Sequence, residues 1–191
     1  MTLAHERPMP GPAASFAAAL AAELPRLETE RLILRAPRLN DLDAWHEVLT
    51  GPASPWLGGP FSRDDSFTEF ATSVGLWLLR GHGPWTVETK AGETLGFVLL
   101  GFEPGDHEPE LGFLFRPEAE GQGYAAEAAR AARAHAFGTL GWDTVVSYIA
   151  PENARSIRLA QRLGASRDAA AEAALGDGTQ VWRHHRGEVS Q

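Results

Sequence analysis

The most constraining feature of this chain is the junction at Gly121-Gln-Gly123, where a β-rich run ending at Phe115 gives way to a strongly helical stretch from Tyr124 to Phe137. A helix start leaves its first backbone N–H groups unpartnered and carries the positive end of the helix dipole. A glycine loop leading into one therefore favours an anion. Gly121 and Gly123 tolerate positive φ and let a ligand approach the backbone, while Ala125 and Ala126 keep side-chain bulk away. The pattern predicts a phosphate seat. Arg130 and Arg133 lie further along the helix, and Glu127, three residues before Arg130, is spaced for an ordinary surface ion pair.

Taken alone, Gly121-x-Gly123-x-x-Ala126 also fits the dinucleotide fingerprint. That fingerprint belongs directly after a strand, inside a parallel strand-helix-strand unit, with an acidic residue at the end of the next strand. Here Arg116 to Glu120 intervene and Asp143 precedes the next strand, so the nicotinamide reading fails. A turn serving only as a connection explains neither the two glycines nor the paired alanines.

The surrounding pattern supplies the architecture. Leu32 and Leu34 alternate with Arg31, Ile33 and Arg35 as in a strand near a sheet edge. Asn40 is placed to cap a helix carrying Leu42, Trp45 and Leu49, and Ser62 to cap a second with Phe67, Phe70, Val74, Trp77 and Leu78 on one stripe. Runs at 84–89, 94–100 and 108–115 read as an antiparallel meander, and a strand at 144–149 precedes a helix from Asn153 to Leu163 that stops at Gly164. At the end, 169–174 favours a helix by propensity, but Asp177-Gly178 followed by 179–183 favours a hairpin, the reading adopted here.

A chain of 191 residues with 43 % hydrophobic content is expected to form one domain. Its bounds are drawn at 26–187, after an N-terminal extension at 1–25 and before a tail at 188–191. The extension has a short Ala-rich stretch, too short for a bilayer span, with a cleaved export signal as the alternative. A net charge of −8 disfavours nucleic acid as a partner, and no segment suggests a membrane. The absence of cysteine removes disulfides, thiolate metal sites and a cysteine nucleophile, and suits a reducing cytoplasm. His184 and His185 lack ligand spacing and read as strand-end surface residues; no metal is expected.

Taken together, Thr29-Glu-Arg-Leu-Ile-Leu-Arg35, Glu110-Leu-Gly-Phe-Leu-Phe-Arg-Pro117, Gly121-Gln-Gly-Tyr-Ala-Ala-Glu127, Asn153-Ala-Arg-Ser156 and Leu163-Gly164 make the chain resemble the GNAT acetyltransferase superfamily. The likeness is to its ribosomal-protein alanine acetyltransferase-like (RimJ/RimL-type) branch and runs from Leu27 to Arg186. It implies a mixed α/β fold with a mainly antiparallel sheet, flanked by helices, in which two strands splay apart around a pantetheine arm. Acetyl-CoA is then the cosubstrate. Phe113, Leu114, Phe115, Gly121, Gln122, Gly123, Tyr124, Ala125, Ala126 and Asn153 bind it. The acceptor is a small-molecule amine or a protein N-terminus, and the protein a monomer or homodimer. One position departs from the family: Glu120 stands where the loop usually begins with Gln or Arg, which implies weaker affinity or an outward side chain.

An amine attacks a thioester only as the neutral base, so the site needs a proton acceptor, oxyanion stabilisation and a way for the thiolate to leave. By the resemblance, Glu110 is the base and Ser156 the donor to sulfur, with Asn153 on the pantetheine. The plain alternatives are a solvated strand glutamate in the cluster Asp106, Glu108, Glu110 and a helix cap at Asn153. His107, Tyr124 and Tyr148 are lesser candidates, and Trp56, in a loop between two helices, is placed to line an acceptor pocket. A non-catalytic acyl-CoA-binding module is the competing function.

Overall fold

The computed structural model describes residues 3–186; the expected tail at 188–191 lies outside them. One mixed sheet of eight strands runs in the order β1-β2-β3-β4-β5-β6-β8-β7. Its first five strands form one antiparallel half: β1 (Leu27–Glu28), β2 (Leu32–Arg35), β3 (Pro84–Thr89), β4 (Thr94–Gly101) and β5 (Glu110–Phe115). The expected meander is thus present, and Leu32 and Leu34 are fully buried as their alternation implies.

Helix α4 (Tyr124–Gly138) covers one face of this sheet. Its Ala126, Ala128, Ala129, Ala132 and Ala136 are small enough to bring its axis close over Leu34, Val98, Leu100 and Leu111. On the other face, α2 (Leu42–Thr50) and α3 (Arg63–Arg80) pack Trp45, Leu49 and Phe70 around Phe97. Ser62 caps α3 as expected, accepting the Asp65 N–H at 3.1 Å, and Gly81 at φ 73° ends it. Leu78 departs from the expected stripe and is 75 % exposed, because the buried line ends at Trp77, whose indole donates to the Pro84 carbonyl. Asn40 does not cap α2. The chain enters through a short 3-10 turn in which Asp41 accepts the Arg38 N–H at 2.7 Å and a bidentate pair of bonds from Arg35.

The C-terminal part differs most from the sequence reading. After β6 (Thr144–Ile149) and α5 (Ala154–Arg162), a two-residue β7 (Ser166–Arg167) leads into α6 (Ala169–Leu175), which forms because Asp168 accepts the Ala170 and Ala171 N–H groups. The strand β8 (Gln180–His185) is present, but no hairpin closes across Asp177-Gly178. Instead β8 lies between β6 and β7, antiparallel to both. That placement buries His184 completely, whereas His185 is exposed. Burial pulls the His184 pKa down to about 4, and its Nε2 lies 3.1 Å from Ser147 Oγ.

The N-terminal segment packs against the domain. Within it α1 (Pro12–Glu23) buries no residue, yet Glu6 pairs with Arg63 at 2.6 Å and His5 meets the Phe67 ring edge-on. Among the described residues, no helix is long and apolar enough to cross a membrane.

Candidate active site

Strands β5 and β6 are parallel neighbours that pair only at Glu110 and Val146, next to a bond from the Val146 N–H to the Pro109 carbonyl at 3.0 Å. One step further, the Ser147 hydroxyl donates to the Leu111 carbonyl at 2.6 Å in place of a backbone rung. Beyond it the strands diverge. Since the Leu111 carbonyl points toward β6, the period of two turns the peptide groups of Phe113 and Phe115 to the same open side. They are free to pair with an extended ligand carrying amides.

The gap opens into a groove of about 590 Å³ on one side and a cavity of about 340 Å³ on the other, which share Trp56, Leu57, Phe113, Leu114, Asn153 and Ser156. The groove ends at the glycine loop. Gly121 (φ 73°) and Gly123 (φ 81°) both adopt the left-handed conformation, and no side chain caps the first turn of α4. Its unclaimed N–H groups lie beside Ala125 and Ala126, which line the groove. Three arginines on α5, Arg155, Arg158 and Arg162, line it against a single carboxylate, Glu120. That carboxylate is exposed and paired with Arg155, so it does not oppose an anion as an uncompensated charge.

Of the expected cofactor residues, Phe113, Leu114, Phe115, Gly121, Gly123, Ala125, Ala126 and Asn153 line this groove. Gln122 and Tyr124 do not. The Gln122 amide folds back onto the Glu118 carbonyl at 2.9 Å, and the Tyr124 ring lies under the Arg31 guanidinium, 4.6 Å from its centroid. Nor does Glu127 pair with Arg130: its carboxylate is taken by Thr29 and Arg31, far away in sequence.

The smaller cavity has the opposite charge. Glu69, Glu103, Asp106 and Glu110 line it, no Lys, Arg or His does, and Trp45, Trp56, Phe61 and Tyr148 supply aromatic walls. Glu110 is half-buried in the cavity wall rather than fully solvated. Desolvation, reinforced by Asp106 and Glu103, pushes its pKa up to about 8. Desolvation, with Asp106 and Glu69 beside it, likewise raises the pKa of Glu103, and desolvation raises that of Asp106. Glu108 is no part of this cluster, because Arg183 holds it with two bonds of 2.6 Å and keeps its pKa low. Ser156 faces both compartments, and Asn153 accepts its N–H at 3.1 Å, so the helix-cap role is present. The Tyr148 hydroxyl is occupied by the backbone of His107 and Glu108. His107 lines neither compartment.

Sequence reasoning missed Glu69, Glu103 and the three α5 arginines. They converge only through the fold, and the one local signal was the i, i+3, i+7 spacing of Arg155, Arg158 and Arg162 on one face of α5.

Residues 31–166 match the family model of the acetyltransferase (GNAT) domain. A crystal structure of an acetyltransferase from Agrobacterium tumefaciens is 36 % identical, with a TM-score of 0.80 over 86 % of this chain and 96 % of that one. Spermidine N-acetyltransferase from Vibrio cholerae, solved with CoA and spermine, is similar in fold at 19 % identity and a TM-score of 0.63, over 81 % and 94 % of the two chains. The uncharacterized N-acetyltransferase YnaD of Bacillus subtilis (strain 168) is 30 % identical over 88 residues, 46 % of this chain and about half (52 %) of that protein. With a splayed strand pair leading to an uncapped glycine-loop helix, and a family model matched over most of its length, this chain belongs to the GNAT acetyltransferase family.

Proposed function

We propose that the protein transfers an acetyl group from acetyl-CoA to a primary amine, by direct attack within a ternary complex. The observation that carries this reading is the continuity of the two compartments across the β5–β6 gap, one basic and ending at an anion seat, the other acidic. In this reading residues 26–187 are the catalytic unit. The pyrophosphate sits on the α4 N–H groups, with Arg155, Arg158 and Arg162 supplying positive charge, and the pantetheine amides pair with Phe113, Phe115 and Asn153. An ammonium acceptor, a small amine or a protein N-terminus, is drawn to the acidic cavity. Glu110 then takes its proton, and Ser156 donates toward the departing sulfur.

A non-catalytic acyl-CoA-binding module loses its main motive, since Arg155 neutralises the unusual Glu120. Thiol release from acetyl-CoA, measured over a panel of amines and N-terminal peptides, tests the proposal. Tight CoA binding without turnover of any acceptor would favour the binding module.

Two variants examine the parts. At Gly123 a Cβ would have room, with its nearest atom, Arg31 Nη2, 3.5 Å away, but φ 81° is strained for a β-branched residue. Gly123→Val is expected to weaken CoA binding by about tenfold or more, roughly the 1–3 kcal/mol such strain costs if the loop moves to relieve it. Isothermal titration with CoA would show it, and unchanged affinity removes the loop from the cofactor site. Ser156→Ala is expected to lower kcat about tenfold with little change in CoA affinity. A proton donor to sulfur acts mainly in the transition state, and a thiolate leaves readily without one. Parallel losses of melting temperature and activity would instead assign Ser156 to the helix start alone.

A further inference from the structure

The Thr29-Glu-Arg31 stretch lies outside both compartments, yet it is tied to both the glycine loop and the first turn of α4. The Glu127 carboxylate, in the first turn of α4, accepts the Thr29 hydroxyl at 2.5 Å, the Arg31 N–H at 2.9 Å and Arg31 Nε at 2.7 Å. Burial works against its ionisation, but these bonds prevail and keep its pKa below the ordinary value. The other side of the same guanidinium donates to the Gln122 carbonyl at 3.1 Å and covers the Tyr124 ring.

We propose that Arg31, oriented by Glu127 and Thr29, is a positioning residue that holds the glycine loop in its anion-binding conformation from behind. In a planar trans peptide the C=O and the following N–H point in opposite directions. Anchoring the Gln122 carbonyl on Arg31 therefore turns the Gly123 N–H the other way, and Gly123 lines the groove while Arg31 does not. The same contact keeps a carbonyl dipole from facing the phosphates. An ordinary surface ion pair would add little, since Arg31 is 45 % exposed. The function assigned to it is geometric, and it rests on the CoA reading above.

The test is calorimetric binding of CoA and of pantetheine, which lacks the phosphates, to the wild type, Arg31→Ala and Glu127→Gln. Arg31→Ala is expected to weaken CoA about tenfold and to leave pantetheine within twofold. Glu127→Gln is the sharper variant. Removing a negative charge near an anion seat tightens CoA if charge is all that matters, whereas loss of the group that orients Arg31 weakens it. The expected result is weakening, again by about tenfold. Unchanged or tighter CoA binding in both variants overturns the positioning role and leaves the CoA reading intact. Equal losses for CoA and pantetheine reduce Arg31 to a structural residue and overturn it as well. A wild type that binds no CoA overturns the reading beneath it, and this inference with it.

Discussion

Glu110→Gln is expected to lower kcat by about 10²-fold or more at pH 9, the scale of a positioned general base, with CoA binding retained. With its pKa pushed up to about 8, Glu110 is mostly protonated at pH 6, so in the proposed role it can accept a proton only as pH rises through 8. The wild-type rate therefore climbs over that range while the Gln variant lacks this limb. The gap between them widens up to about pH 8 and narrows only at higher pH, where the acceptor amine is neutral by itself. A base of ordinary carboxyl pKa would show a defect that simply shrinks as pH rises, and the raised pKa of the half-buried Glu110 reverses that below pH 8. Stability supplies an independent readout. The pKa is raised from 4.5 on folding, so the folded state binds the extra proton between about pH 4.5 and 8. The favourable contribution of this group is complete below 4.5 and is lost as pH rises through 8. Glu110→Gln should consequently raise the melting temperature, relative to wild type, most above pH 8. A variant stabilised there but with wild-type turnover at every pH would leave Glu110 as a strained carboxyl with no part in proton transfer.

Gly96→Ala is expected to be the most damaging small substitution in the sheet. A Cβ at this position would lie 2.2 Å from the Leu114 carbonyl oxygen and 2.7 Å from the Phe115 Cα, both backbone atoms that cannot rotate away. Either β4 or β5 must shift. Overpacking of this kind costs about 3 kcal/mol, which for a domain of this size lowers the melting temperature by roughly 6–12 °C. Because the displaced atoms belong to the stretch lining the groove, CoA affinity should fall with it. A melting temperature within 2 °C of wild type would mean that the strands separate freely here.

Much of the fold is legible in the sequence because its signals are local. The strand at Thr144–Ile149, the Ser62 cap and the start of α4 at Tyr124 follow from alternation, capping chemistry and the glycine pair. The misreadings arise where tertiary partners decide. Glu127 is correctly spaced for Arg130, but Arg31, 96 residues away, offers two nitrogens in fixed geometry and wins. The buried His184 reads as polar and terminal, since nothing local reveals that β8 is inserted between two other strands. At 169–175 helix propensity and the Asp168 cap prevail over the Asp-Gly turn signal, and Asp177-Gly178 forms a bend that joins a helix to β8. The acidic cavity is assembled from α3, the β4–β5 loop and β5, so no window of sequence contains it.

The ties between β5 and the C-terminal strands are all gathered at one end. Among the described residues, the Glu110–Val146 rung, the Pro109 carbonyl bond, the Ser147 bridge to Leu111, the Arg183–Glu108 pair and the Tyr148 hydroxyl on the backbone of His107 and Glu108 fall within five consecutive residues, His107 to Leu111. Mechanically, the sheet is two half-sheets fastened at a single corner. A ligand laid along the open edges and bonded to both supplies the fastenings that the chain omits, and its binding energy adds directly to the work needed to separate the halves. Under the proposed function, the opening between β5 and β6 is thus also the place where a bound cosubstrate would become part of the scaffold.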